Sequence, residues 1–151
     1  MKIDIVPDLA MRGHDDPHGR GQAGSRPPTV GQLAWRLRAL AERPAEWWPL
    51  VRFDPTRPTR TRLDHVATTR LWLMAWPPGH RAAPAADGGA EVSTLIAGEL
   101  REVTIGPSGV AERTLHAGRV RVRGAATPPR QAPELHNPGF TYAITLHAAR
   151  G

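Results

Sequence analysis

One stretch limits what this chain can fold into. Leu71-Trp-Leu-Met-Ala-Trp76 is a six-residue apolar run that stops at Pro77-Pro78-Gly79. A loop of small and polar residues follows, and a second apolar run, Val92 to Ala97, ends in the corner Gly98-Glu99-Leu100. Runs this short, rich in β-favouring types and stopped by Pro and Gly, suit buried strands rather than helices. The stretch therefore reads as strand, loop, strand, turn.

The flanking sequence extends the pattern. The segments 62–69, 70–76, 93–105, 110–115, 119–123 and 142–148 read as strands. Gly106-Pro-Ser-Gly109 and Ala117-Gly118 mark turns, and 124–133 reads as an irregular Pro-rich loop. In the 119–123 strand Arg alternates with Val, so its Arg face is either solvated or laid over a polar partner. Upstream, Thr29 and Gln32 have the spacing of a capping box, and Leu33, Leu37, Leu40 and Ala41 recur at helical spacing. Pro44 closes that helix and 45–51 suits a second short one. Trp47 and Trp48 are expected to pack on the main domain, and 53–60 reads as a linker.

The 151 residues suit one domain with a single core. The expected division is a disordered tail over 1–28, helices over about 29–51 and a β-barrel over about 61–149. His14 and His18 lie in the tail and read as solvated residues. The sequence has no Cys, which excludes disulfides, thiolate metal sites and Cys nucleophiles and accords with a reducing cytoplasm. No stretch reaches the roughly 20 apolar residues of a membrane helix, and residues 1–10 lack a signal-peptide apolar region. The net charge of +6 comes almost wholly from Arg. The arginines are scattered, so the sequence does not favour nucleic acid as a partner, although a basic or acidic-partner face at Arg119, Arg121 and Arg123 is one reading.

The ordered motifs resemble the cupins. A cupin's first motif is Gly, five residues, His-x-His, three or four residues, Glu, six residues, Gly. Here Gly79, Glu91 and Gly98 fall at those positions, while Ala85 and Asp87 stand where the two histidines belong. Trp76-Pro-Pro-Gly79, Gly88-Gly89, Gly98-Glu-Leu100, Arg52-Phe-Asp-Pro55, Asn137-Pro-Gly139 and Thr145-Leu-His-Ala148 are similar to motifs of bacterial cysteine dioxygenases, over about residues 30–149. The resemblance implies an all-β fold, a cupin (RmlC-like) jelly-roll barrel preceded by a short N-terminal helical segment. It also implies a thiol dioxygenase in which three histidines hold Fe(II).

Carried over, the three ligands fall on Ala85, Asp87 and Pro133, and of these only Asp87 has donor chemistry. The family's Ser-His-Tyr series falls on Thr145, His147 and Ala149, and its carboxylate-binding Arg on Arg62, with Arg60 in the place of a Tyr. The expectation is therefore a cysteine dioxygenase-like cupin without the iron histidines, inactive or ligand-binding. It would need no cofactor and would take a small polar ligand such as a thiol amino acid, with Arg62 and His147 as anchors. The alternative is an oxidoreductase with a rewired site, in which Asp87, Glu91 and His80 substitute as ligands while His136 points away on a regular strand, with Fe(II) bound if the family activity survives. His147 itself suits a buried, hydrogen-bonded core histidine, and His65 and His116 read as ordinary strand or surface residues.

Overall fold

The computed structural model describes residues 26–66, 68–83, 89–124 and 133–151, with the side chains of 64–66 left out of the account. Among the described residues two helices come first, α1 (Val30–Ala41) and α2 (Pro44–Trp47), followed by a 3-10 turn at Trp48–Leu50. Nine strands of the described residues follow: β1 (Thr59–Val66), β2 (Thr69–Trp76), β3 (Arg81–Ala82), β4 (Glu91–Ala97), β5 (Arg101–Gly106), β6 (Gly109–Thr114), β7 (Val120–Arg123), β8 (Glu134–His136) and β9 (Ala143–Arg150). They form a five-stranded sheet in the order β1-β2-β9-β4-β7 and a four-stranded sheet in the order β3-β8-β5-β6. The pairings are antiparallel, and the result is a jelly roll.

The capping box forms as the spacing requires. The Thr29 hydroxyl accepts from the Gln32 amide, and the Gln32 side chain accepts from the Thr29 amide. Leu33, Leu37 and Leu40 then line one buried face of α1. That face packs on Leu73, Val92, Ile144, Leu146 and Ala148 of the five-stranded sheet, joined by Trp47. Each buried Leu is worth about 1.5–3 kcal/mol of transfer free energy. The helix thus covers the outside of the sheet.

A second apolar cluster lies at one end of the barrel. It gathers Trp76, Leu95, Leu100, Leu115, Leu135 and Ala143. The segment 93–105 turns at the Gly98-Glu99-Leu100 corner, so that β4 and β5 belong to different sheets. Gly98 has φ +76°, and a Cβ there would lie 2.6 Å from the Tyr142 carbonyl oxygen and 2.7 Å from the Ala143 Cα. Only glycine makes this turn without moving the backbone of the chain beside it. Asn137 holds the facing loop. Its amide donates to the Trp76 and Thr141 carbonyls, and its side-chain oxygen accepts from Gly139 N.

Candidate functional site

Strand registers decide what faces the barrel interior. Arg62 pairs with Trp72, Trp72 with His147, His147 with Ser93, and Ser93 with Arg121. One row of side chains therefore crosses all five strands on the face away from α1. The next row runs Arg70, Ala149, Glu91, Arg123. Apolar residues fill the helix-facing side of this sheet, and its other side carries charged and aromatic groups.

These rows assemble a buried polar chain. Arg123 NH2 donates to Glu91 Oε2 at 2.9 Å. His147 Nδ1 lies 2.7 Å from Glu91 Oε1, and His147 Nε2 lies 2.7 Å from Thr145 Oγ1. Trp76 Nε1 donates to Thr145 Oγ1 at 3.0 Å. An ionised carboxylate can only accept, so Nδ1 carries a proton. In a neutral ring Nε2 accepts the Thr145 hydroxyl proton, and Thr145 in turn accepts from the indole. The neutral Nδ1–H tautomer satisfies both ring nitrogens of His147.

Burial sets the charge states. His147 is 2% exposed. Burial pushes its imidazole below the ordinary value, and the neighbouring Arg123 and Arg60 charges push the same way against the Glu91 hydrogen bond and charge. Burial alone would raise the Glu91 carboxyl. Hydrogen bonds from His147 and Arg123, with the Arg123 charge, outweigh that and hold it below the usual carboxylate range. The pair is therefore an anionic Glu91 and a neutral His147, with Arg123 as the counter-charge. Trp72 stacks on His147 with centroids 5.2 Å apart and planes at 10°, and the Arg60 guanidinium lies 4.3 Å from the Trp72 ring centroid.

β7 turns its Arg face inward. Arg121 bonds Glu102, which also holds Arg113, and Val122 is the exposed residue between Arg121 and Arg123. The Arg face of β7 thus lies over polar partners rather than wholly in solvent. Arg121 and Arg123 are half-buried and paired with Glu102 and Glu91, and of the three only Arg119 is exposed. A cavity of about 30 Å³ lies against Ser93, Arg121, Arg123, Pro133, Leu135 and His147. A larger groove of about 540 Å³ shares Arg121, Arg123 and Pro133 with it and adds Arg113, His116 and Arg119.

The expected site residues separate on this frame. Ala85 and Asp87 lie outside the described residues. Pro133 is half-buried and walls both cavities. Glu91 has one oxygen bonded to His147 and the other to Arg123. His80 sits in the turn after β2, its amide donating to the Pro77 carbonyl and its carbonyl accepting from Asn137 N. His136 is half-buried in β8 with its Nδ1 unpartnered, between Arg81 of β3 and Arg101 of β5. His116 is exposed. Arg62 is exposed at the β1 edge and lines a third cavity, about 450 Å³, with Arg60, Arg70, Leu71 and Trp72. His147 does not line it, so the two expected anchors stand in different cavities. Among the described residues no three of His, Cys, Asp and Glu come together as a metal-holding group.

The model of cysteine dioxygenase type I matches residues 30–120. The chain belongs to the cysteine dioxygenase type I family. No curated protein sequence matches it. Among solved structures, a cupin superfamily protein from Desulfitobacterium hafniense DCB-2 is similar at 14% identity, covering 72% of this chain and 91% of that one with a TM-score of 0.51. A protein from Thermus thermophilus is similar at 21% identity, covering 68% and 92%, also with a TM-score of 0.51. A third, with a double-stranded β-helix domain, comes from Klebsiella pneumoniae subsp. pneumoniae and is 20% identical, covering 66% and 82% with a TM-score of 0.51. At these identities the likeness is one of fold, and the fold is the cupin jelly roll.

In this cysteine dioxygenase-type cupin, the motif residues that sequence reasoning singled out, Glu91, Thr145 and His147, form one chain. Sequence reasoning missed Arg123, Trp72 and Trp76 as its partners. The alternating Arg of β7 was the available signal, because an Arg face is also what a buried carboxylate on a neighbouring strand requires.

Proposed function

We propose that this cupin binds a small polar ligand in its barrel without the iron chemistry of its family. One observation carries the reading. Glu91, the motif carboxylate, has one oxygen bonded to His147 and the other to Arg123, so an incoming cation would have to compete with both. A divalent ion would also meet the Arg121 and Arg123 guanidiniums beside it, and Pro133 offers no donor at the third ligand position. The residues present do not fit a three-histidine Fe(II) centre. Imidazole ligands and open positions for thiol and dioxygen are what that chemistry demands, and Ala85, Asp87 and Pro133 supply no imidazole.

The test is metal content and oxygen uptake. The untagged protein is purified from iron-supplemented cells, its iron measured, and oxygen consumption followed with cysteine. The expected result is substoichiometric iron and no cysteine-dependent uptake. Stoichiometric iron with uptake would instead support the rewired oxidoreductase and make Asp87 and His80 the first residues to substitute.

A further inference from the structure

We propose that the Arg121–Arg123 face of β7 is the binding site of a small dicarboxylate, a deepening that rests on the iron-free reading above. Arg121 Nε and Arg123 NH1 are buried, and neither has a hydrogen-bond partner. A buried guanidinium N–H left unpaired is costly, and a carboxylate is the group whose planar, two-oxygen geometry matches it. Both side chains face the 30 Å³ recess, where Ser93 stands beside them. That space suits one carboxylate head.

The charge balance asks for a second negative group. Around the recess and its outer groove stand Arg113, Arg119, Arg121 and Arg123, against the carboxylates of Glu91 and Glu102. Among the described residues two positive charges are left over, and a dianion matches them. The recess and the groove share Arg121, Arg123 and Pro133, so a head group in the first leads a chain into the second. There the exposed Arg119 can meet the far carboxylate. This places the ligand on β7, on the opposite edge of the five-stranded sheet from Arg62.

Isothermal titration of the full chain with succinate tests this, with acetate and inorganic phosphate at matched ionic strength as comparators and iron measured on the same sample. One saturable succinate site is expected, with acetate weaker by about tenfold or more because it lacks the second charged hydrogen bond. Arg121→Gln should weaken succinate by about tenfold to a hundredfold. Arg119→Gln, an exposed change that does not touch the fold, should weaken succinate several-fold and leave acetate unaltered. No saturable succinate binding, equal affinity for all three anions, or an Arg119→Gln variant indistinguishable from wild type would each overturn the proposal. Loss of succinate binding in iron-free protein sinks this inference alone, whereas stoichiometric iron with cysteine-dependent oxygen uptake sinks the reading beneath it.

Discussion

Protonation linked to His147 should destabilise this protein at mildly acid pH, by an amount that follows from where the imidazole sits. The ring is buried against Trp72 and is neutral with its proton on Nδ1. In the unfolded chain it takes up a proton near pH 6.5, and in the folded chain only at lower pH, because burial depresses its affinity. Between those two points the unfolded state binds about one more proton. Stability then falls as pH falls, by about 1.4 kcal/mol per pH unit. Glu91 acts in the same direction at lower pH. Its carboxyl is held below its ordinary value in the folded state, so its contribution, full above the unfolded pKa, is lost as pH drops through the folded one. Urea unfolding from pH 7.5 to 5.5 measures this. Wild type is compared with His147→Gln, so that the other histidines cancel. The wild-type-minus-variant difference should be flat above about pH 7 and fall by about 1 kcal/mol or more between pH 6.5 and 5.5. A flat difference throughout would refute the reasoning. A difference that grows as pH falls would show that His147 charges in the fold as the cation of a Glu91 ion pair.

Further outcomes follow from the same geometry. Gly98→Ala should cost at least about 2 kcal/mol by thermal or urea unfolding, since the new methyl meets the backbone at Tyr142–Ala143 and the φ is positive. Leu37→Ala should cost about 2–5 kcal/mol, because Leu37 is fully buried between α1 and the sheet. Thr29→Ala should cost about 1 kcal/mol through loss of the capping box, with little effect on the barrel interior. Glu91→Leu should cost several kcal/mol, about 3–5, by leaving Arg123 buried without its carboxylate, and a double Glu91→Leu, Arg123→Leu variant should recover part of that.

The turns and the leading helix were legible because their signals are local. Thr29 and Gln32 sit three residues apart, and Gly79, Gly98 and Asn137-Pro-Gly139 mark corners whatever lies across the barrel. The interior was only half legible. Alternation along β7 separates an Arg face from a Val face, but which one turns inward depends on Glu91 and Glu102, on strands paired with β7 or lying across from it. Helix α1 settles the matter physically, because its Leu face takes up the sheet's apolar side and leaves the polar side for the barrel. The register of β1 was also out of reach. Its pairing shifts between Arg62 and Asp64, and Arg60, not Arg62, is the residue over Trp72.

We propose that the Arg123–Glu91–His147–Thr145 chain in the barrel interior stands in place of a metal site. Imidazole ¹⁵N NMR of His147 during anaerobic Fe(II) titration tests it most directly. The prediction is a neutral, Nδ1-protonated ring at pH 7 whose resonances stay sharp and unshifted at one equivalent of Fe(II). Stoichiometric paramagnetic broadening of those resonances would place iron beside Glu91 and contradict the account.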